Sequence, residues 1–226
     1  MLDTKIAYNL SVNDVSPAEY VVIWMHGLGA DYDNFLDIVE HINTNVKIKF
    51  IFPRAPMIPI TINQKLKMRA WYDIISIENF KREVDAIGIN KSVVEIHHLI
   101  DEVAKEFSYD RIFLAGFSQG GVISYYAGLN YIHKLAGIIS LSSYMPDLNL
   151  LSKASIELNQ NIPVLICHGE QDDVVPYSLG EESVNQLMGL GLSDCQFNSY
   201  GSLMHSLSWE EVGDITAWLN KLTKNR

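Results

Sequence analysis

A chain of 226 residues fits one α/β unit better than two, and 48% hydrophobic against 19% charged residues supplies material for a large core. The formal net charge of −10 excludes a nucleic-acid partner held by phosphate neutralisation and disfavours electrostatic docking on anionic lipid. The opening MLDTKIAYNL lacks the apolar run of a secretory signal, and no stretch approaches the roughly 20 apolar residues of a bilayer span; Cys167 and Cys195 read as reduced strand residues, so a cytoplasmic protein is expected.

In chain order, short β-branched or apolar runs recur at 20–25, 48–52, 111–115, 135–141, 163–167 and 196–200, each bounded by Gly, Pro, Asp or Asn. Such runs predict strands buried on both faces of a parallel sheet. Between them the spacing of Val93, Ile96, Ile100, Val103 and Phe107 predicts a helix over 91–107. Val212, Ile215, Leu219 and Leu222 mark the face of a final helix, opened by a capping box of Ser208 and Glu211. Ser178 and Glu181 repeat that pattern ahead of the preceding helix. Alternating strands and helices imply a doubly wound, mostly parallel sheet flanked by helices, in a single domain over 1–226. The stretch from 53 to 77, with its prolines and mixed polarity, is expected to be an ordered, functional loop region.

The most informative segment runs from Arg111 to Gly121. A buried strand leads directly into Gly116-Phe117-Ser118-Gln119-Gly120, after which 122–127 can continue as helix. This is G-x-S-x-G in the strand–turn–helix setting of a nucleophile elbow. The tight turn leaves room only for glycine two residues either side of Ser118. It also sets the hydroxyl at a helix N-terminus, where the Gln119 amide points at a developing oxyanion.

A serine nucleophile needs a base, and the base an orienting acid, in the chain order Ser, Asp or Glu, His. His205, between the last strand and the last helix, is placed to reach the elbow; His133 follows it too closely and His168 ends a strand. Glu170, Asp172 and Asp173 compete for the acid. The segment His26-Gly-Leu28-Gly-Ala30 after the first strand is similar to the glycine-bearing loop that gives a second oxyanion amide, with His26 itself structural. His97 and His98 face different sides of a helix and are not expected to bind metal.

Together WMHGLGAD (24–31), FPRAP (52–56), PITIN (59–63), MRAWYDI (68–74), LAGFSQGG (114–121), LSSYMP (141–146), HGEQDDVVP (168–176) and the His205 loop resemble the carboxylesterase/phospholipase family of α/β-hydrolases, which includes bacterial carboxylesterases and acyl-protein thioesterases. The resemblance implies an α/β-hydrolase fold without a large cap domain and a homodimer. It assigns Ser118 as nucleophile, His205 as base, Asp172 rather than Asp173 as acid, and Leu28 and Gln119 as oxyanion amides. Trp71 would line the acyl site. Two departures stand out: Met204 where the family has glycine before the catalytic histidine, and 63–67 where it has a glycine-rich turn.

The expected activity is hydrolysis of short-to-medium acyl esters through an acyl-enzyme, with no metal or organic cofactor. Alternatives are lysophospholipase or acyl-protein thioesterase action on a lipid or acylated protein, and a non-catalytic acyl- or partner-binding scaffold. Residues 57–60 with Ile62 and Leu66 are expected to form a flexible flap that binds the acyl chain and touches lipid transiently.

Overall fold

The computed structural model describes residues 2–9, 17–78 and 81–223. In chain order they form β1 (Thr4–Tyr8), β2 (Tyr20–Met25), α1 (Leu36–Val39), β3 (Ile48–Pro53), β4 (Met57–Ile60), β5 (Leu66–Arg69), β6 (Ile74–Glu78) and β7 (Lys81–Val84). There follow α2 (Ala86–Val103), β8 (Ile112–Phe117), α3 (Gln119–Leu129), β9 (Gly137–Leu141), α4 (Lys153–Asn159), β10 (Val164–Gly169), α5 (Tyr177–Gly189), β11 (Cys195–Tyr200) and α6 (Trp209–Thr223).

One seven-stranded sheet runs in the order β1-β3-β2-β8-β9-β10-β11. All neighbours in it are parallel except β1, which pairs antiparallel with β3 at the edge. Every residue of β2, β9 and β10 is buried, because helices cover both faces and remove the alternation a one-sided sheet would show. On one face α2, α3 and α5 contribute Ile89, Val93, Ile96, Val122, Ile123 and Leu187 to a core layer. On the other, Val39 of α1 packs with Val212, Ile215, Trp218 and Leu219 of α6. Helix α3 is buried along its whole length and so carries no amphipathic period.

The strand order reverses between β2 and β8: β3 lies on the far side of β2, and β9, β10 and β11 continue outward from β8. Open α/β sheets bind ligands at the carboxyl ends of strands flanking such a switch point. The segments that follow β2, β8, β10 and β11 carry Leu28, Ser118, Asp172 and His205 respectively. The chain pattern therefore delivers all four residues to one edge of the sheet.

Three local expectations change. Helix α2 begins at Ala86, five residues before the expected start at 91, since buried Ile89 extends the Val93–Ile96–Ile100 face backward; Phe107 sits in the turns that follow it. Ser178 does not cap α5. That helix starts at Tyr177 behind Pro176, whose fixed ring geometry sets the entry, and Ser178 lies inside the first turn. The stretch 53–77 is not one long loop, since about half of it is strand: β4 and β5 form a hairpin, and β6 pairs with β7 in a second. Gln64 and Lys65 turn the first hairpin at φ of 54° and 60° without any glycine. The hairpin is tied down by Thr61, whose amide and hydroxyl donate to Asp73 at 2.7 and 2.6 Å. No helix among the described residues is long and apolar enough to cross a membrane. Both cysteines are free, in β10 and β11.

The expected capping box of α6 forms, with Glu211 N–H donating to Ser208 Oγ at 3.1 Å and Ser208 N–H to Glu211 Oε2 at 3.4 Å. It places Glu211 in the core, with Oε1 lacking a hydrogen-bond partner among the described residues. Burial, joined by the nearby Asp214 carboxylate, pushes the Glu211 carboxyl up to about 8 against the opposing Ser208 amide. A raised folded-state pKa gives stability that is complete below the unfolded value of 4.5 and is lost as pH rises through about 8. Glu211→Gln keeps an acceptor for Ser208 and removes the titration. Between about pH 6 and 9, the wild-type melting temperature is expected to fall by roughly 5 °C more than that of the variant, measured by thermal melts.

Candidate active site

Ser118 sits between β8 and α3 with φ 53° and ψ −116°, a conformation that L-residues avoid. The cost is borne because the surroundings fix the turn. Its amide donates to Leu141 O at 2.8 Å, and the Ser143 hydroxyl donates to its carbonyl at 2.7 Å. A side chain on Gly116 would place Cβ 2.2 Å from the Gly120 backbone, and one on Gly120 would meet Met25 O at 2.2 Å. Any residue larger than glycine at either position would displace the turn. The steric demand read from the sequence motif is thus met on both sides of the serine.

The loops that carry Asp172 and His205 are fastened to each other. Gln171 N–H donates to Leu203 O at 3.1 Å and Glu170 N–H to Tyr200 O at 3.0 Å, while a Cβ on Gly169 would lie 2.2 Å from Leu203 O. Across this junction His205 Nδ1 lies 2.8 Å from Asp172 Oδ2. Asp172 Oδ1 accepts the amides of Val174 at 2.9 Å and Val175 at 2.7 Å. Burial pushes the Asp172 carboxyl upward, but the hydrogen bonds from His205, Val175 and Val174 outweigh it and hold the group below the ordinary range. An ionised carboxylate only accepts, so His205 carries its proton on Nδ1 and presents a bare Nε2. Phe117 supports the imidazole at 4.8 Å between ring centroids. Asp173 is exposed on the cleft rim, and Glu170 accepts the Ser199 hydroxyl at 2.8 Å instead.

His168, not singled out as functional by the sequence, braces this loop. Its Nε2–H donates to Val175 O at 2.8 Å, so Val175 is held through its carbonyl by His168 and through its amide by Asp172. Burial holds the His168 pKa below its ordinary value. Met204, in place of the family's glycine, keeps a negative φ and points its side chain half into solvent. Nothing in the loop requires glycine there.

Leu28 follows β2 in a turn closed by Ala30 N–H to Gly27 O at 3.2 Å and tied to β5 by Gly29 N–H to Arg69 O at 2.8 Å. Gln119 opens α3, where the first amides of a helix have no intrahelical acceptor. Its side chain clamps the neighbouring segment: Oε1 accepts Trp71 N–H at 2.8 Å and Nε2 donates to Tyr72 O at 2.7 Å. Trp71 is buried beneath the site, its indole donating to His26 O at 2.9 Å, rather than in the cleft wall. His26 is structural as expected: Nδ1 binds Gly27 O at 2.8 Å and Nε2 accepts Ala55 N–H at 3.1 Å.

Ser118, Leu28, Gln119 and His205 line a cleft of about 830 Å³. Its walls include Phe35, Ile38, Ile62, Ile74, Ile77 and Val174. Ile62 thus reaches the cleft, whereas Leu66 is not among its lining residues and is 63% exposed. His133 stacks on Tyr109, and His97 donates to Ala127 O, both away from the cleft.

A strained serine after a buried parallel strand, sharing one cleft with an imidazole held by a buried carboxylate at the switch point of the sheet, defines an α/β-hydrolase. The model of the Phospholipase/Carboxylesterase family matches residues 9–223. Acyl-protein thioesterase 1 of Schizosaccharomyces pombe is 39% identical over 190 residues, which cover 84% of each chain. Acyl-protein thioesterase 1 of Gibberella zeae is 37% identical over 214 residues, covering 88% of this chain and 89% of the relative. The crystal structure of Zea mays acyl-protein thioesterase 2 superposes with a TM-score of 0.83 at 26% identity, covering 98% of this chain and 99% of that one. The chain belongs to the phospholipase/carboxylesterase family and is a serine ester hydrolase.

Proposed function

We propose that the chain cleaves short-to-medium acyl esters through an acyl-enzyme on Ser118. His205 Nε2 takes the proton from Ser118 as its oxygen attacks the carbonyl, and Asp172 stabilises the imidazolium that forms. The amides of Leu28 and Gln119 bind the oxyanion; each such donor lowers the barrier by about 3–4 kcal/mol. His205 then protonates the leaving alcohol, and water activated by the same imidazole releases the acid. The observation that carries this reading is the 2.8 Å bond from His205 Nδ1 to the buried Asp172, in a cleft that also opens onto the strained Ser118.

A second reading, deacylation of lipidated proteins or lysophospholipids, is supported by the acyl-protein thioesterase relatives and by apolar cleft walls. In this reading the hairpins of 53–77, with Met57 and Leu66 more than half exposed, make transient contact with a membrane. A single domain over 1–226, a cytoplasmic location and a homodimer complete the proposal; the homodimer rests on the family resemblance alone. Hydrolysis of p-nitrophenyl esters from acetate to palmitate, beside S-acyl peptides of the same chain lengths, tests it. The rate is expected to peak on short or medium oxygen esters. A peak on long S-acyl peptides moves the second reading ahead, and inertness across both series moves a binding scaffold ahead.

A further inference from the structure

The apolar cleft is interrupted at one place. Tyr72 after β5, Arg82 of β7 and Tyr144 after β9 all line it. Neither phenol oxygen nor the Arg82 Nε has a hydrogen bond within 3.5 Å among the described residues, and the polar groups that interact with them are one another, Tyr72 with Tyr144 and Tyr144 with Arg82. The three groups are neighbours: the guanidinium lies over the Tyr144 ring, 5.2 Å from its centroid, and its charge acts on both phenols. Arg82 donates one N–H to Val174 O, beside the loop that holds Asp172. Among the described residues it forms no ion pair.

Unpaired buried donors are rare because each forfeits its water without a replacement, and an unpaired charge forfeits more. Here two buried phenols and a half-buried guanidinium converge on the wall of a substrate cleft, in a chain of net charge −10 that has many carboxylates to spare. Among the described residues the one carboxylate lining the cleft, Asp173, is exposed to solvent and forms no ion pair with Arg82. Two hydroxyls and a guanidinium share one complement, an oxyanion with several lone pairs. We propose that Arg82, Tyr72 and Tyr144 form an anion-recognition subsite that selects esters bearing a carboxylate or phosphate apart from the scissile bond. The proposal rests on the ester-hydrolase reading of the same cleft and names its substrate class.

The test compares matched esters. One pair is the mono-4-nitrophenyl ester of glutaric acid against 4-nitrophenyl pentanoate, which places the anion on the acyl side. The other is 1-acylglycerol 3-phosphate against the monoacylglycerol of the same chain, which places it on the leaving side. Wild type is expected to favour the anionic member of at least one pair, and which pair responds locates the anion. In Arg82→Gln that kcat/KM ratio is expected to fall roughly 10- to 100-fold, and in Arg82→Lys by less. Using the ratio cancels any general damage through Val174, which both esters share. If the glutamine variant does not fold, the wild-type preference should still weaken as salt rises from about 50 to 500 mM. Turnover of neutral esters with no anionic preference in either pair, or a preference unmoved by Arg82→Gln, overturns the subsite and leaves the hydrolase standing. Turnover of no ester overturns the hydrolase reading instead.

Discussion

Ser118→Ala is expected to lower kcat/KM on an activated ester by about 10⁴-fold or more while the protein stays folded. The reason is geometric. The attacking atom must stand at a helix N-terminus in the cleft that also holds the base and the oxyanion amides, and the elbow between β8 and α3 offers such a position at Ser118. Ser206 also lines the cleft, but it lies one residue after His205 and outside the strand–turn–helix elbow that sets Ser118 at the start of α3. Ser206→Ala is therefore expected to stay within a few-fold of wild type. The backbone strain at φ 53° is common to serine and alanine, since both carry a Cβ, so the melting temperature should move by only a few degrees. A fluorophosphonate should add its mass to wild type and not to the alanine variant. Retained turnover or retained labelling in that variant would move the nucleophile elsewhere.

How much of this site was legible in the sequence depended on how local its cause is. The elbow was readable because its constraint acts within five residues: Gly116 and Gly120 are required by contacts of 2.2 Å that any Cβ would make. His205 was readable from chain order, which the parallel sheet imposes by bringing successive strand ends to one edge. Asp172 and Asp173 were not separable by chemistry alone, because what distinguishes them is tertiary. The first turns inward to accept two amides and His205, and the second turns out to solvent.

The hairpins of 53–77 were illegible for a different reason. Their strands are short and largely exposed, Pro59 lies within one of them, and their pairing is supported by contacts such as Thr61 to Asp73 rather than by a buried apolar run. Arg82 was likewise invisible, since a single arginine acquires meaning only when folding sets it against Tyr144 and Tyr72. Trp71 shows the converse. Its ring holds His26 and its backbone amide meets Gln119 of the elbow, and it is not among the residues of the cleft wall.

Asp172→Asn separates these roles with the second largest effect. Asparagine keeps a carbonyl oxygen for the Val174 and Val175 amides, so the loop is expected to hold its course. Its amide group, however, turns a donor toward His205 Nδ1, where the carboxylate accepts at 2.8 Å. The imidazole must then carry its proton on Nε2, and it can no longer remove one from Ser118; it also loses the charge that stabilises its protonated form. A fall in kcat of about 10³- to 10⁴-fold is expected, with KM little changed. Asp173→Asn should remain within a few-fold, and the reverse result would assign the acid to Asp173. Stability supplies an independent reading. The folded-state pKa of Asp172 is depressed, so its contribution is present above the unfolded carboxylate value and is lost as pH falls through the folded one. The wild type should therefore melt higher than Asp172→Asn near neutrality, and the two curves should converge in acid as the carboxylate takes up its proton.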